Sequence, residues 1–81
     1  MQNKNARLFL SEIPTGENAI IDSLCEGNEI NRRLTSLGFT PGVGVKIVQN
    51  FGRGPMIVTV RGSQIAIGRG EAAKIFVKKE Q

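Results

Sequence analysis

Asn28-Glu29-Ile30-Asn31-Arg32-Arg33-Leu34-Thr35-Ser36-Leu37-Gly38-Phe39-Thr40-Pro41-Gly42-Val43-Gly44-Val45 is the stretch whose reading decides the fold. Ile30, Leu34 and Leu37 recur at i, i+4 and i+7, which sets three aliphatic side chains on one face of about two and a half helical turns. No other segment has this periodicity, so one helix must lie against a sheet supplied by the rest of the chain. Both of its ends are marked. Asn28 suits the N-cap, and Glu29 follows where the helix dipole favours negative charge. Gly38 suits the left-handed position past the last turn, with Phe39 folding back onto Leu34, and Pro41-Gly42 turns the chain into the next strand. The expected helix covers about 28–38.

Downstream, glycine-bearing turns divide short apolar blocks, the spacing of an antiparallel barrel or sandwich. Val43 to Gln49 puts Val43, Val45 and Ile47 on one face. Met56 to Arg61 follows the turn Asn50-Phe51-Gly52-Arg53-Gly54-Pro55, and Gln64 to Gly68 follows a two-residue turn expected at Gly62-Ser63. Residues 69–74 read as a single helical turn before a last strand, Ile75 to Lys78, in which Ile75 and Val77 share a face. Upstream, Leu8-Phe9-Leu10 reads as an edge strand. Pro14-Thr15-Gly16 reads as a turn with Pro at its first central position, and Ala19 to Cys25 as a strand whose alternation is imperfect. The fold class is therefore mainly β, with five or six short antiparallel strands closed into a small barrel and one helix inserted after the first long strand.

With 81 residues the chain has room for one domain, expected over 8–79 behind a frayed segment 1–7. The amino-terminal segment lacks a signal peptide's apolar core, no run approaches a membrane span, and a single Cys25 fits a reducing compartment. The expected location is the cytoplasm. The net charge of +4 permits an acidic or nucleic-acid partner, but the 11 basic residues are scattered rather than gathered in a tract.

The chain has no histidine and no tyrosine, so a Ser-His-Asp or Cys-His nucleophile cannot be assembled. No phosphate-cradling glycine loop is present, because Gly52-Arg53-Gly54 is too short, and an enzyme is not expected. Cys25, Glu26 and Glu29 are the candidate metal ligands at the strand-to-helix junction, against a plainer reading as a buried thiol and two solvated carboxylates. Nucleic-acid binding by a small barrel is an alternative, although Phe9, Phe39, Phe51 and Phe76 show no interleaved stacking motif. A protein contact is the leading expectation. Phe51 and Met56 flank the 51–55 turn, Phe76 faces away from Ile75 and Val77, and Arg53, Arg32 and Arg33 rim this apolar cluster. Arg32, Arg33, Phe39, Phe51, Arg53 and Met56 are the candidate partner-binding residues. Against this, Arg33 flanks the apolar stripe and can merely cover it with its methylenes.

The run Arg32-Arg33-Leu34-Thr35-Ser36-Leu37-Gly38-Phe39-Thr40-Pro41-Gly42 resembles the FeoA family, ferrous iron transport protein A. So do Leu10-Ser11-Glu12-Ile13-Pro14-Thr15-Gly16 before it and Gly54-Pro55 and Ile65-Ala66-Ile67-Gly68-Arg69 after it, with Ala72, Ile75 and Val77 in matching places. The resemblance covers roughly Leu10 to Val77. It implies an SH3-like barrel without catalytic activity or cofactor, in a family concerned with transition metal ions. It also implies a cytoplasmic accessory that contacts FeoB, the membrane ferrous iron transporter, and is not inserted in the membrane itself. A related SH3-like domain ends some metal-dependent repressors, so such a domain standing alone is a further alternative.

Overall fold

The computed structural model describes residues 8–24 and 28–79. The expected frayed segment 1–7, Cys25 and Glu26 lie outside the described residues, as do the side chains of Asn28 and Ile30. The elements in order are β1 (Leu8–Phe9), a 3₁₀ turn (Leu10–Glu12), β2 (Asn18–Leu24), α1 (Asn28–Ser36), β3 (Gly44–Gln49), β4 (Met56–Val60), β5 (Ser63–Ile67), the helical turn α2 (Arg69–Ala72) and β6 (Ile75–Lys79). All six strands join one antiparallel sheet in the order β1-β6-β2-β3-β4-β5.

Alternation builds the core. Ala19 and Ile21 from β2, Val45 and Ile47 from β3, Met56, Val58 and Val60 from β4, and Ile75 and Val77 from β6 all turn inward and are buried. Leu10, Ile13, Leu34, Phe39 and Ala72 close the remaining sides, and Leu37 packs partly buried against them. The imperfect alternation of β2 has a local cause. Ile21 pairs with Val77 but Ser23 with Phe76, so Asp22 is an extra residue in a bulge. A second bulge makes Val48 the extra residue, because Ile47 pairs with Val58 and Gln49 with Ile57.

Helix α1 stops at Ser36, two residues before the expected end, because a Schellman closure takes over. Phe39 N–H donates to the Leu34 carbonyl (3.0 Å) and Gly38 N–H to that of Thr35 (3.0 Å), with Gly38 at φ +106°. A Cβ on Gly38 would lie 2.9 Å from Cδ of the exposed Arg61 side chain, which can move aside, so it is the positive φ that calls for glycine here. The motif drives Phe39 inward, where it is fully buried.

Two turns differ from expectation by one residue. The β4–β5 loop is Arg61-Gly62 rather than Gly62-Ser63, since Val60 pairs with Ser63 and both loop residues have positive φ (52° and 84°), a type I′ turn. The first turn runs from Pro14 to Glu17, closed by Glu17 N–H to the Pro14 carbonyl (3.2 Å). Its left-handed position is Gly16, and Pro14 precedes the central residues.

Candidate partner-docking surface

The β3–β4 loop begins at Asn50, where the side chain ties together four parts of the chain. Asn50 Nδ2 donates to the carbonyls of Ser11 (3.1 Å) and Ile13 (2.8 Å), while Oδ1 accepts the Gly52 N–H (3.1 Å) in an Asx turn. Asn50 N–H donates to Thr15 Oγ1 (2.8 Å). Arg69, the first residue of α2, completes the arrangement: Nη2 donates to Asn50 Oδ1 (2.5 Å), Nη1 to the Ser11 carbonyl (3.3 Å) and Nε to the Gly54 carbonyl (3.2 Å). The three acceptors are met by three different nitrogens of one planar guanidinium, whose donors stand in a fixed fork rather than on a single freely rotating ammonium.

The consequence is a loop fixed at both ends with an aromatic ring turned outward. Phe51 is 74% exposed, and Val48, displaced by its bulge, is 37% exposed; these are the exposed large apolar residues among the described residues. Arg53 is exposed beside Phe51. An aromatic side chain with two torsions on a pinned backbone loses little freedom on binding, so it anchors a contact efficiently.

Of the expected contact residues, Phe51 and Arg53 share this loop, and Arg32 is exposed on α1. Arg33 forms an ion pair with Glu71 of α2, so its guanidinium clasps the two helical elements together. Phe39 and Met56 are corrections. Both are fully buried, Phe39 by the Schellman closure and Met56 because it falls in the same inward set as Val58 and Val60. Phe76 is half-buried rather than open, stacked on Phe9 across the β1–β6 pairing with ring centroids 4.9 Å apart. Phe39 and the Phe9–Phe76 pair are thus committed to packing, and no row of bare rings faces the surface as a base-stacking platform would. Of the candidate metal ligands, Glu29 is exposed in the first turn of α1. Among the described residues no three His, Cys, Asp or Glu side chains are placed to hold a metal ion.

The Asn50–Arg69 tie is not legible in the sequence. Asn50-Phe51-Gly52 carries a usable local signal, an Asx turn, but nothing in the spacing of Asn50 and Arg69 reveals that they meet.

Residues 9–79 match the model of the FeoA domain. The chain belongs to the FeoA family. Fe(2+) transport protein A of Methanocaldococcus jannaschii is 41% identical over 63 residues, covering 78% of this chain and 76% of the relative. The crystal structure of an iron uptake regulatory protein, FeoA, superimposes with a TM-score of 0.87 at 32% identity, over 93% of this chain and all (100%) of that one. Zinc-complexed FeoA of Stenotrophomonas maltophilia, described as a procaryotic SH3 domain protein, gives 0.79 at 33% identity over 88% and 89% of the two chains. The fold is accordingly SH3-like. A manganese-dependent transcriptional repressor shares it too, with a TM-score of 0.85 over 96% of this chain and 44% of the repressor, but at 14% identity the likeness is one of fold alone.

Proposed function

We propose that this FeoA-family chain is a non-catalytic cytoplasmic accessory of ferrous iron uptake, drawn to the inner face of the membrane by docking on the cytoplasmic part of the transporter FeoB. Phe51 is the anchor and Arg53 its charged neighbour. Arg32 forms a second, polar contact. Family membership over 9–79 supports the transport role, as do relatives named for Fe(2+) transport. The observation that carries the docking role is Phe51, 74% exposed on a loop pinned by Asn50 and Arg69. The absence of histidine from the sequence agrees with a part played by contact rather than by chemistry.

Burying an exposed phenylalanine in a partner's pocket contributes about 1.5–3 kcal/mol, so Phe51→Ala weakens the complex about ten- to a hundredfold. The test is ferrous iron uptake by a strain deleted for the gene, grown anaerobically under iron limitation. Uptake falls on deletion, returns with the parent gene and stays low with Phe51→Ala. Unchanged uptake on deletion overturns the transport role, and full rescue by Phe51→Ala overturns the docking site.

A further inference from the structure

β5 ends the sheet opposite β1, and its open side is defined by the hairpin that precedes it. In a type I′ two-residue hairpin the flanking residues, Val60 and Ser63, exchange their hydrogen bonds. The unbroken register Val60↔Ser63, Val58↔Ile65, Met56↔Ile67 then directs the N–H and C=O groups of Ser63, Ile65 and Ile67 to β4. Those of Gln64 and Ala66 face away from the sheet. Both residues are exposed, and among the described residues no strand pairs with β5 on that side. Ser63-Gln64-Ile65-Ala66-Ile67 has no charge, no proline and no bulge, so it lacks the usual protections of an edge strand.

We propose that the outer edge of β5 is a strand-addition site that takes an extended acidic segment of a partner polypeptide. The segment would bond antiparallel or parallel to the N–H and C=O groups of Gln64 and Ala66. Charge selects the occupant. Arg61 lies at one end of the edge, exposed, with no ion pair among the described residues, and its stem is laid over Gly38 at the carboxyl end of α1. An acidic side chain beside the added strand meets it. A second copy of this chain fits worse: its own edge, Ser63–Ile67, carries no acidic residue to set beside Arg61. Past its far end, Arg69 Nε bonds to the Gly54 carbonyl (3.2 Å), which joins the end of this edge to the pinned loop. The site deepens the docking reading and rests on it only for the partner's identity.

The experiment is selection of a random peptide library displayed on phage against the full chain, followed by amide hydrogen exchange with the enriched peptides. Gln64→Pro removes one outward N–H at a position where an edge strand tolerates proline. Arg61→Asn removes the charge and keeps a residue suited to the I′ turn. Enriched peptides should alternate apolar residues with Asp or Glu and slow exchange at Gln64 and Ala66. Affinity should fall at least about tenfold on Gln64→Pro, the loss of one good hydrogen bond and its neighbour, and about three- to tenfold on Arg61→Asn. Both variants should melt cooperatively. Peptides that bind Gln64→Pro equally, no enrichment over that variant, or a free protein that sediments as a dimer with these amides already protected overturns the proposal. Failure here leaves docking through Phe51 standing, because that is read independently from iron uptake.

Discussion

Asn50→Ala tests the physical basis of the surface. The substitution removes two donors bonded to the Ser11 and Ile13 carbonyls and the acceptor shared by Gly52 N–H and Arg69. Each neutral bond contributes about 1 kcal/mol and the charged one about 1.5–3, but water can replace part of this at a partly buried site, so the loss is about 3 kcal/mol. A domain of this length holds roughly 4–12 kcal/mol in total. The corresponding fall in Tm is about 12–24 °C. Thermal and urea unfolding followed by circular dichroism measures it. Asn50→Asp keeps the acceptor for Gly52 and Arg69 but sets a carboxylate oxygen against the two carbonyls, and should lose about 1–3 kcal/mol. A double-mutant cycle of Asn50→Ala with Arg69→Ala should show coupling of about 1 kcal/mol or more. If Asn50→Ala melts within about 0.5 kcal/mol of the parent, the loop is not held as described and Phe51 is not a pre-positioned anchor.

Three further perturbations follow from the packing. Leu34→Asp places a charge at a fully buried site and should leave the chain unfolded or grossly destabilised, while Leu34→Ala costs about 2–5 kcal/mol by urea unfolding; a parent-like melt for either would mean that this face of α1 is open. Gly38→Ala imposes a strained φ of +106° and should cost at least about 1–2 kcal/mol, little of it recovered in Gly38→Ala/Arg61→Ala, since the Arg61 side chain can move aside. Glu71→Gln breaks an ion pair whose Arg33 side chain is 61% exposed and should change stability by no more than about 1 kcal/mol in low salt; a larger loss would make the clasp between α1 and α2 structural.

The parts of the fold that were legible in the sequence are those written in local patterns. Leu34 and Leu37 mark the covered face of α1, Gly38 its closure, and alternation in β3, β4 and β6 the inward residues, because periodicity follows directly from backbone geometry. Boundaries slipped where a neighbouring constraint decided the outcome. Gly38 ended α1 two residues early, and the positive φ of Arg61 moved the hairpin turn by one. The site was less legible. Phe51 and Arg53 were visible as turn residues with nothing to bury them. Met56 differs from expectation because strand register, not nearness to a turn, decides which way it faces, and Phe39 because the Schellman closure that folds it onto Leu34 also buries it. The Asn50–Arg69 tie was invisible, since a contact 19 residues apart in sequence depends on where the barrel brings β3 and α2 together.

Docking of the Phe51 and Arg53 loop on the transporter, as proposed, predicts a local footprint. The most direct measurement is an NMR titration of the isotope-labelled chain with the soluble cytoplasmic domain of FeoB. Shifts centred on 50–55, extending to α2 through Arg69 and lost in Phe51→Ala, are the predicted result. Binding that shifts the β6–β2 side and leaves the 50–55 amides unmoved, or no shifts at all, would contradict it.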